Sequence, residues 1–220
     1  MTYTSFFKAE LLTLFRRKQD TINALVFFLM VVTLFPLGVS PSAEFLAPAA
    51  GGIIWCAASL AILMSVESMF KEDFNDGSLE QLLVNGLSLP LLIVLKIIAH
   101  WLLVIIPLLC MTPIFSQMLF LPDQAFWVLI STLLLGSPAL FLIGTIGSAL
   151  TVSLRHGAVL MLLIILPFYL PVIIFSTGAI SAVSAEMAFD GQMAILAAIS
   201  LVALAVSPIM SAISIKASVS

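Results

Sequence analysis

Glu67-Ser-Met-Phe-Lys-Glu-Asp-Phe-Asn-Asp-Gly-Ser-Leu-Glu-Gln-Leu-Leu-Val-Asn-Gly-Leu-Ser-Leu-Pro90 is the one long polar interruption in an otherwise apolar chain. It holds five of the eleven acidic residues. Ser78-Leu79-Glu80-Gln81 has the pattern of a capping box, in which the Ser78 hydroxyl accepts the backbone N–H three residues on and Gln81 reaches back to the cap. The pattern predicts a short helix from Ser78 to Val84. Asn85-Gly86 tolerates the left-handed backbone that ends a helix, and Pro90 pre-sets the start of the next one. Leu79, Leu82 and Leu83 stand at i, i+3 and i+4 and share a face. That face needs a cover: its own protein, the lipid surface, or a soluble protein docked on the same side.

The flanks of this stretch decide the fold class. With 62% hydrophobic and 9% charged residues and a mean hydropathy of +1.27, the chain departs from soluble domains, which run at about 25% charged. A bilayer core of about 30 Å takes about 20 apolar residues per helix. The 220 residues therefore hold six spans as a single membrane domain over 1–220, with an arm at 1–20 and a polar loop at 67–89. The expected class is all-α, polytopic. Nucleic-acid binding has no support. Cys56 and Cys110 lie inside apolar stretches, where a thiol behaves as a small buried hydrophobe.

The arm, Met1 to Asp20, interleaves Lys8, Glu10, Arg16, Arg17, Lys18 and Asp20 with Phe6, Phe7, Leu11, Leu14 and Phe15. As a helix it suits the headgroup region, with basic residues toward anionic lipid. A cleaved signal is disfavoured, because the polar region is too long and the apolar run continues past any h-region.

The spans read as Thr21–Val39, Ala49 or Gly51 to Val66, Pro90–Phe120, Ala125–Leu150, Gly157–Gly178 and Gln192–Ile213. Residues 40–48 form a turn and 179–191 a partly buried connection. Pro107 and Pro113 each remove a backbone donor from the third span. With the N-terminus in the cytoplasm, Lys8, Arg16, Arg17, Lys18, Lys71, Lys96, Arg155 and Lys216 all fall on the cytoplasmic side, which is all eight basic residues. Glu44, Asp123, Glu186 and Asp190 fall on the other, as the positive-inside rule requires.

Chemistry within the spans is sparse. There is no His-Glu-x-x-His, no Gly-x-Ser-x-Gly and no Gly-x-x-x-x-Gly-Lys-Ser/Thr, so no ATP is held in the P-loop manner and any driving energy comes from another subunit. The chain is not expected to be an enzyme. Lys96 and His100 are the exceptions. At 1.5 Å per residue from Pro90 they lie about 9 Å and about 15 Å into the span, one turn apart, with Trp101 adjacent. Lys96 is placed to snorkel back to the cytoplasmic face. His100 is read as a neutral interhelical hydrogen-bonder, as a substrate-facing or heme-ligating group, or as an interfacial residue if Pro90 lies outside the lipid. Gly144-x-x-x-Ser148, Ala194-x-x-x-Ala198 and Ala203-x-x-x-Ser207-x-x-x-Ser211 mark where helices can approach closely.

Thr33-Leu-Phe-Pro36, Gly52-Ile-Ile-Trp55, Asp76-Gly-Ser-Leu-Glu-Gln81 and Lys96-Ile-Ile-Ala-His-Trp101 together resemble the membrane subunits of type-2 ABC exporters, and within them the cytochrome c maturation protein B (CcmB) family. Leu133-Leu-Leu-Gly136, Ala149-Leu-Thr-Val152 and Leu166-Pro167 match more loosely. The resemblance implies an amphipathic elbow, six spans and a coupling helix that fits a cleft on an ATPase. That places Asp76, Gly77, Ser78, Leu79, Glu80, Gln81, Leu82 and Leu83 at the docking site, with Glu67, Glu72, Asp73, Asp76 and Glu80 meeting a basic rim and Phe70 and Phe74 extending the apolar face. It also implies the partners CcmA (the ATPase, carrying ATP and Mg), CcmC, CcmD, the periplasmic chaperone CcmE and a second copy of the chain. The resemblance further implies that ATP hydrolysis by the partner is coupled to heme export or to release of the heme-loaded periplasmic chaperone, in the bacterial inner membrane. A scaffold without a path of its own, or an exporter of lipid or polysaccharide, would share the layout.

Overall fold

The computed structural model describes residues 2–16, 19–80, 86–154 and 157–219. Among them there is no strand, and eight helices follow in order: α1 (Tyr3–Arg16), α2 (Gln19–Gly38), α3 (Ala43–Ser68), α4 (Lys71–Asn75), α5 (Leu89–Met118), α6 (Asp123–Thr151), α7 (Gly157–Ser184) and α8 (Asp190–Val219). All but α1 and α4 are long and apolar enough to cross a membrane. Residues 78–80 add one helical turn between α4 and α5.

The second span begins earlier than the sequence suggests. Ser42 has extended backbone, with φ −74° and ψ 138°, and its carbonyl accepts from Phe45 N and Leu46 N at 3.2 and 3.0 Å. The helix then runs through Pro48. That proline deprives only the Glu44 carbonyl of a donor, and Glu44 is exposed, so solvent can take the place of the lost bond. At the other end of the chain, α7 extends to Ser184 and the connection to α8 is a short exposed turn around Glu186, rather than a partly buried segment. Glu186 stands at φ 56°, and Met187 N reaches back to the Ala182 carbonyl at 2.8 Å. α5 ends in the same way: Phe120 has φ 56° and Leu121 N bonds the Ser116 carbonyl at 2.8 Å. Both are Schellman ends, with a bulky or charged residue where glycine is usual.

α6 is the hub, packed against α3, α5, α7 and α8, and its small residues explain why. A Cβ on Gly136 would lie 2.7 Å from Trp55 Cη2, one on Gly144 would lie 2.6 Å from the Tyr169 hydroxyl, and one on Gly147 would run into Ile165. Into these gaps the neighbours bring both bulk and donors. Trp55 Nε1–H donates to Thr132 Oγ1 at 3.2 Å, and the Tyr169 hydroxyl donates to the Leu140 carbonyl at 2.8 Å. From α8, Ser200 and Ser207 donate to the carbonyls of Leu135 and Leu142. These are the close, side-chain-to-backbone contacts that bind helices together where burial against lipid contributes nothing.

Cys56 and Cys110 are free and exposed on the outside of the bundle, not buried as expected from their apolar neighbours. Much of α7 and α8 is exposed as well, with Leu163 at 74% and Leu201 at 67%.

The two ends of the bundle are identified by what meets there. Phe6, Leu79, Leu89 and Ile215 line one small gap, which brings the arm, the polar loop and the last helix to one end. Pro48, Pro122 and Ser184 line a cavity at the other.

Candidate functional site

The polar stretch is built as a roof over the end that carries both termini. Chain direction changes at Met69–Phe70, both buried, and α4 follows. Phe70 and Phe74, one turn apart, point inward: Phe70 is 1% exposed and Phe74 packs against the core. They belong to the body of the protein, so the apolar docking face does not extend through them.

The start of the predicted coupling helix is set by Asp76. Its Oδ1 accepts the Ser78 backbone N–H at 3.0 Å and the Ser78 hydroxyl at 2.6 Å. Ser78 therefore donates to an aspartate two residues back, a bond beyond the capping box expected of it, whose other half falls on Gln81. A carboxylate is a stronger acceptor than a hydroxyl, and the turn at Gly77, φ +73°, brings it within reach. Gln81, Leu82 and Leu83 lie outside the described residues.

Leu79 also departs from expectation. It is 1% exposed and sits among Phe6, Phe70, Leu89, Leu92 and Ile215. It anchors the segment to its own chain and offers no surface to a partner. Glu80, next to it, is exposed.

Beneath Leu79 lies Lys96. Its side chain is 5% exposed, and its Nζ donates to Glu10 Oε1 at 2.7 Å and to Asp73 Oδ2 at 2.6 Å, 6.0 Å from the centre of the Phe70 ring. It does not snorkel. A lysine this buried persists where carboxylates and hydrogen bonds replace its hydration, and here two acids supply them. Of the acidic stretch, Asp73 is thus engaged internally, Glu67 pairs with Lys71 across one turn at 3.1 Å, and Asp76 holds Ser78. Glu72 and Glu80 are exposed.

His100 is 7% exposed, with Nδ1 3.0 Å from the Lys96 carbonyl. A carbonyl only accepts, so this partner assigns the proton to Nδ1. The bond is within one helix, not between two as the interhelical reading had it. The cavity that His100 shares with Glu10, Asp73 and Lys96 is about 30 Å³, far below the about 300–1,000 Å³ of organic-ligand pockets; a heme has no room there in this conformation. Trp101, a further 100° around the helix, turns to α6, where Nε1–H donates to the Ser137 hydroxyl at 2.9 Å. Lys96 and His100 form one group and Trp101 another.

Sequence reasoning missed Glu10 as a member of this group. A cue was present: it is the lone acid of the first sixteen residues, in a chain with a lone lysine inside a span. Tyr3 reinforces the same junction, accepting the Ser88 N–H at 3.3 Å where Ser88 caps α5.

Six membrane-length helices, a hub of small residues and a polar loop pinned over one end define a polytopic, all-α membrane protein. The family model described as CcmB protein matches residues 1–218. Heme exporter protein B of Haemophilus influenzae is 43% identical over 208 residues, covering 94% of both chains. The Pseudomonas aeruginosa protein of that name is 43% identical over 206 residues, covering 94% of this chain and 92% of its own. That of Escherichia coli K12 is 40% identical over 219 residues and covers both chains fully. The chain belongs to the CcmB family.

Proposed function

We propose that this chain is the membrane subunit of an ABC-type exporter in the heme-handling branch of cytochrome c maturation, without a catalytic site of its own. The observation that carries the reading is similarity over almost the whole chain to proteins named heme exporter protein B. The polar roof adds a physical route. A segment rooted in the body by Leu79 and Asp73 is a handle for a soluble partner to push. That partner is the ATP-hydrolysing subunit, CcmA by family resemblance, carrying ATP and Mg. CcmC, CcmD, the periplasmic chaperone CcmE and a second copy of the chain complete the assembly.

The docking site is residues 76–83, with Glu72 and Glu80 steering the encounter and Leu82 and Leu83 as the apolar contacts. Placement of every basic residue on one side supports both termini in the cytoplasm, and the bacterial relatives named heme exporter protein B support a bacterial inner membrane.

The test is Leu82→Asp. Co-purification of the ATPase is expected to fall at least tenfold, with heme on the periplasmic chaperone falling in parallel. Retention of the ATPase at the wild-type level would end the docking reading; if heme attachment nevertheless dropped, the segment would serve another partner and the scaffold reading would replace it. Leu79→Asp is a poor probe, because a carboxylate there disrupts the chain's own packing.

A further inference from the structure

The Lys96 ammonium joins three parts of the chain that are far apart in sequence. Its stem rises from α5, one carboxylate comes from α1 and the other from α4, at 2.7 and 2.6 Å. An ammonium has three protons, so both bonds form at once. The link adds charge to a junction where Phe6 lies beside Leu79 and Tyr3 accepts the Ser88 N–H, while the rest of α1 packs chiefly on α5. On the loop side the connection is short and stiff. The Ser78 hydroxyl bonds Asp76 at 2.6 Å and lies 3.4 Å from the Asp73 carbonyl, so the start of the 76–83 segment is tied to the residue that holds Lys96. Leu79 and Lys96 line the same gap.

We propose that Lys96 is a two-armed latch that makes the N-terminal arm part of the coupling machinery: a push on the docking segment moves Asp73, and through Lys96 and Glu10 it moves α1 together with the loop. The functional meaning of the latch rests on the docking role proposed above. Glu10 and Lys96 are positioning residues.

Spin labels at Leu12→Cys and Asn75→Cys, both exposed positions on α1 and α4, in a Cys56→Ala, Cys110→Ala background, test this in the assembled complex by pulsed electron paramagnetic resonance. With wild-type acids the distance distribution should be narrow and keep its centre when a non-hydrolysable ATP analogue is added, because arm and loop travel together. Glu10→Gln should broaden it at least twofold and lower heme on the periplasmic chaperone at least fivefold, while ATPase co-purification stays within twofold. Asp73→Asn should broaden it in the same way. Unchanged width in both variants overturns the proposal. So does a wild-type distance that shifts with nucleotide, or a Glu10→Gln complex that loses its ATPase. An ATPase that persists with Leu82→Asp would sink the docking reading alone and leave the distance result standing.

Discussion

Two regions of the molecule are held together by different physics. The middle of the bundle, where α6 meets α3, α7 and α8, is held by shape: glycines at 136, 144 and 147 leave gaps that Trp55, Tyr169 and Ile165 fill. The end that carries both termini is held by charge, with one lysine against two acids. The contrast follows from what surrounds each. Lipid offers apolar side chains no advantage in burial, so close packing decides there. At the membrane boundary, acids on an arm and a loop can be solvated until they dock, and a buried cation then selects where they dock.

The comparison breaks most readily at Lys96. Lys96→Met strands Glu10 and Asp73, and removing one partner of a buried ionic group costs about 3–5 kcal/mol. Both acids keep some exposure, 13% and 19%, which argues for the lower end. The thermal midpoint in detergent should fall well below that of wild type; an unchanged midpoint would mean that charge does not hold this end.

The middle of the bundle should answer to volume instead. Gly144→Ala puts a methyl group where the Tyr169 hydroxyl sits, and overpacking of this kind costs about 1–3 kcal/mol. Adding Tyr169→Phe removes the obstructing oxygen, so the double variant should unfold at a higher temperature than Gly144→Ala alone. Additive losses would show that the clash is not the cause.

A smaller effect has the opposite sign. Glu186 is exposed and left-handed, and Glu186→Gly should stabilise by about 1 kcal/mol, because glycine adopts this backbone without a Cβ penalty. A loss in chemical-denaturant unfolding would assign the residue a role beyond its turn. Least of all is expected from Lys71→Met. Its pairing with Glu67 is largely exposed, and such pairs contribute about 0–1 kcal/mol; a loss matching that of Lys96→Met would erase the distinction between the two lysines.

Six spans, their order and the shared end of the two termini are legible in hydropathy and in the placement of basic residues, because a bilayer imposes length and sign on the chain itself. The junction was not. Lys96 finds its partners 86 and 23 residues away, and no local pattern records such a meeting. Leu79 shows the same limit: spacing at i, i+3 and i+4 places it on a face but does not say what covers the face. At Ser78 the aspartate two residues earlier takes the hydroxyl proton, a bond that the capping-box pattern does not include, while Gln81, the other half of that pattern, lies outside the described residues. Residues 40–48 read as a turn, yet Pro48 sits inside a helix, where the residue whose carbonyl it deprives, Glu44, is exposed.

Gly77 and Gly86 stand at φ +73° and +70°, and a Cβ on either would meet nothing within 4 Å. What these positions require is handedness alone, with no demand from neighbouring side chains. Ser78, Leu79 and Glu80 thus follow a joint that asks only for a left-handed backbone, while the Ser78–Asp76 bonds and the buried Leu79 fix what comes after it. Such a joint sets the direction in which the chain leaves α4 without adding any packing of its own.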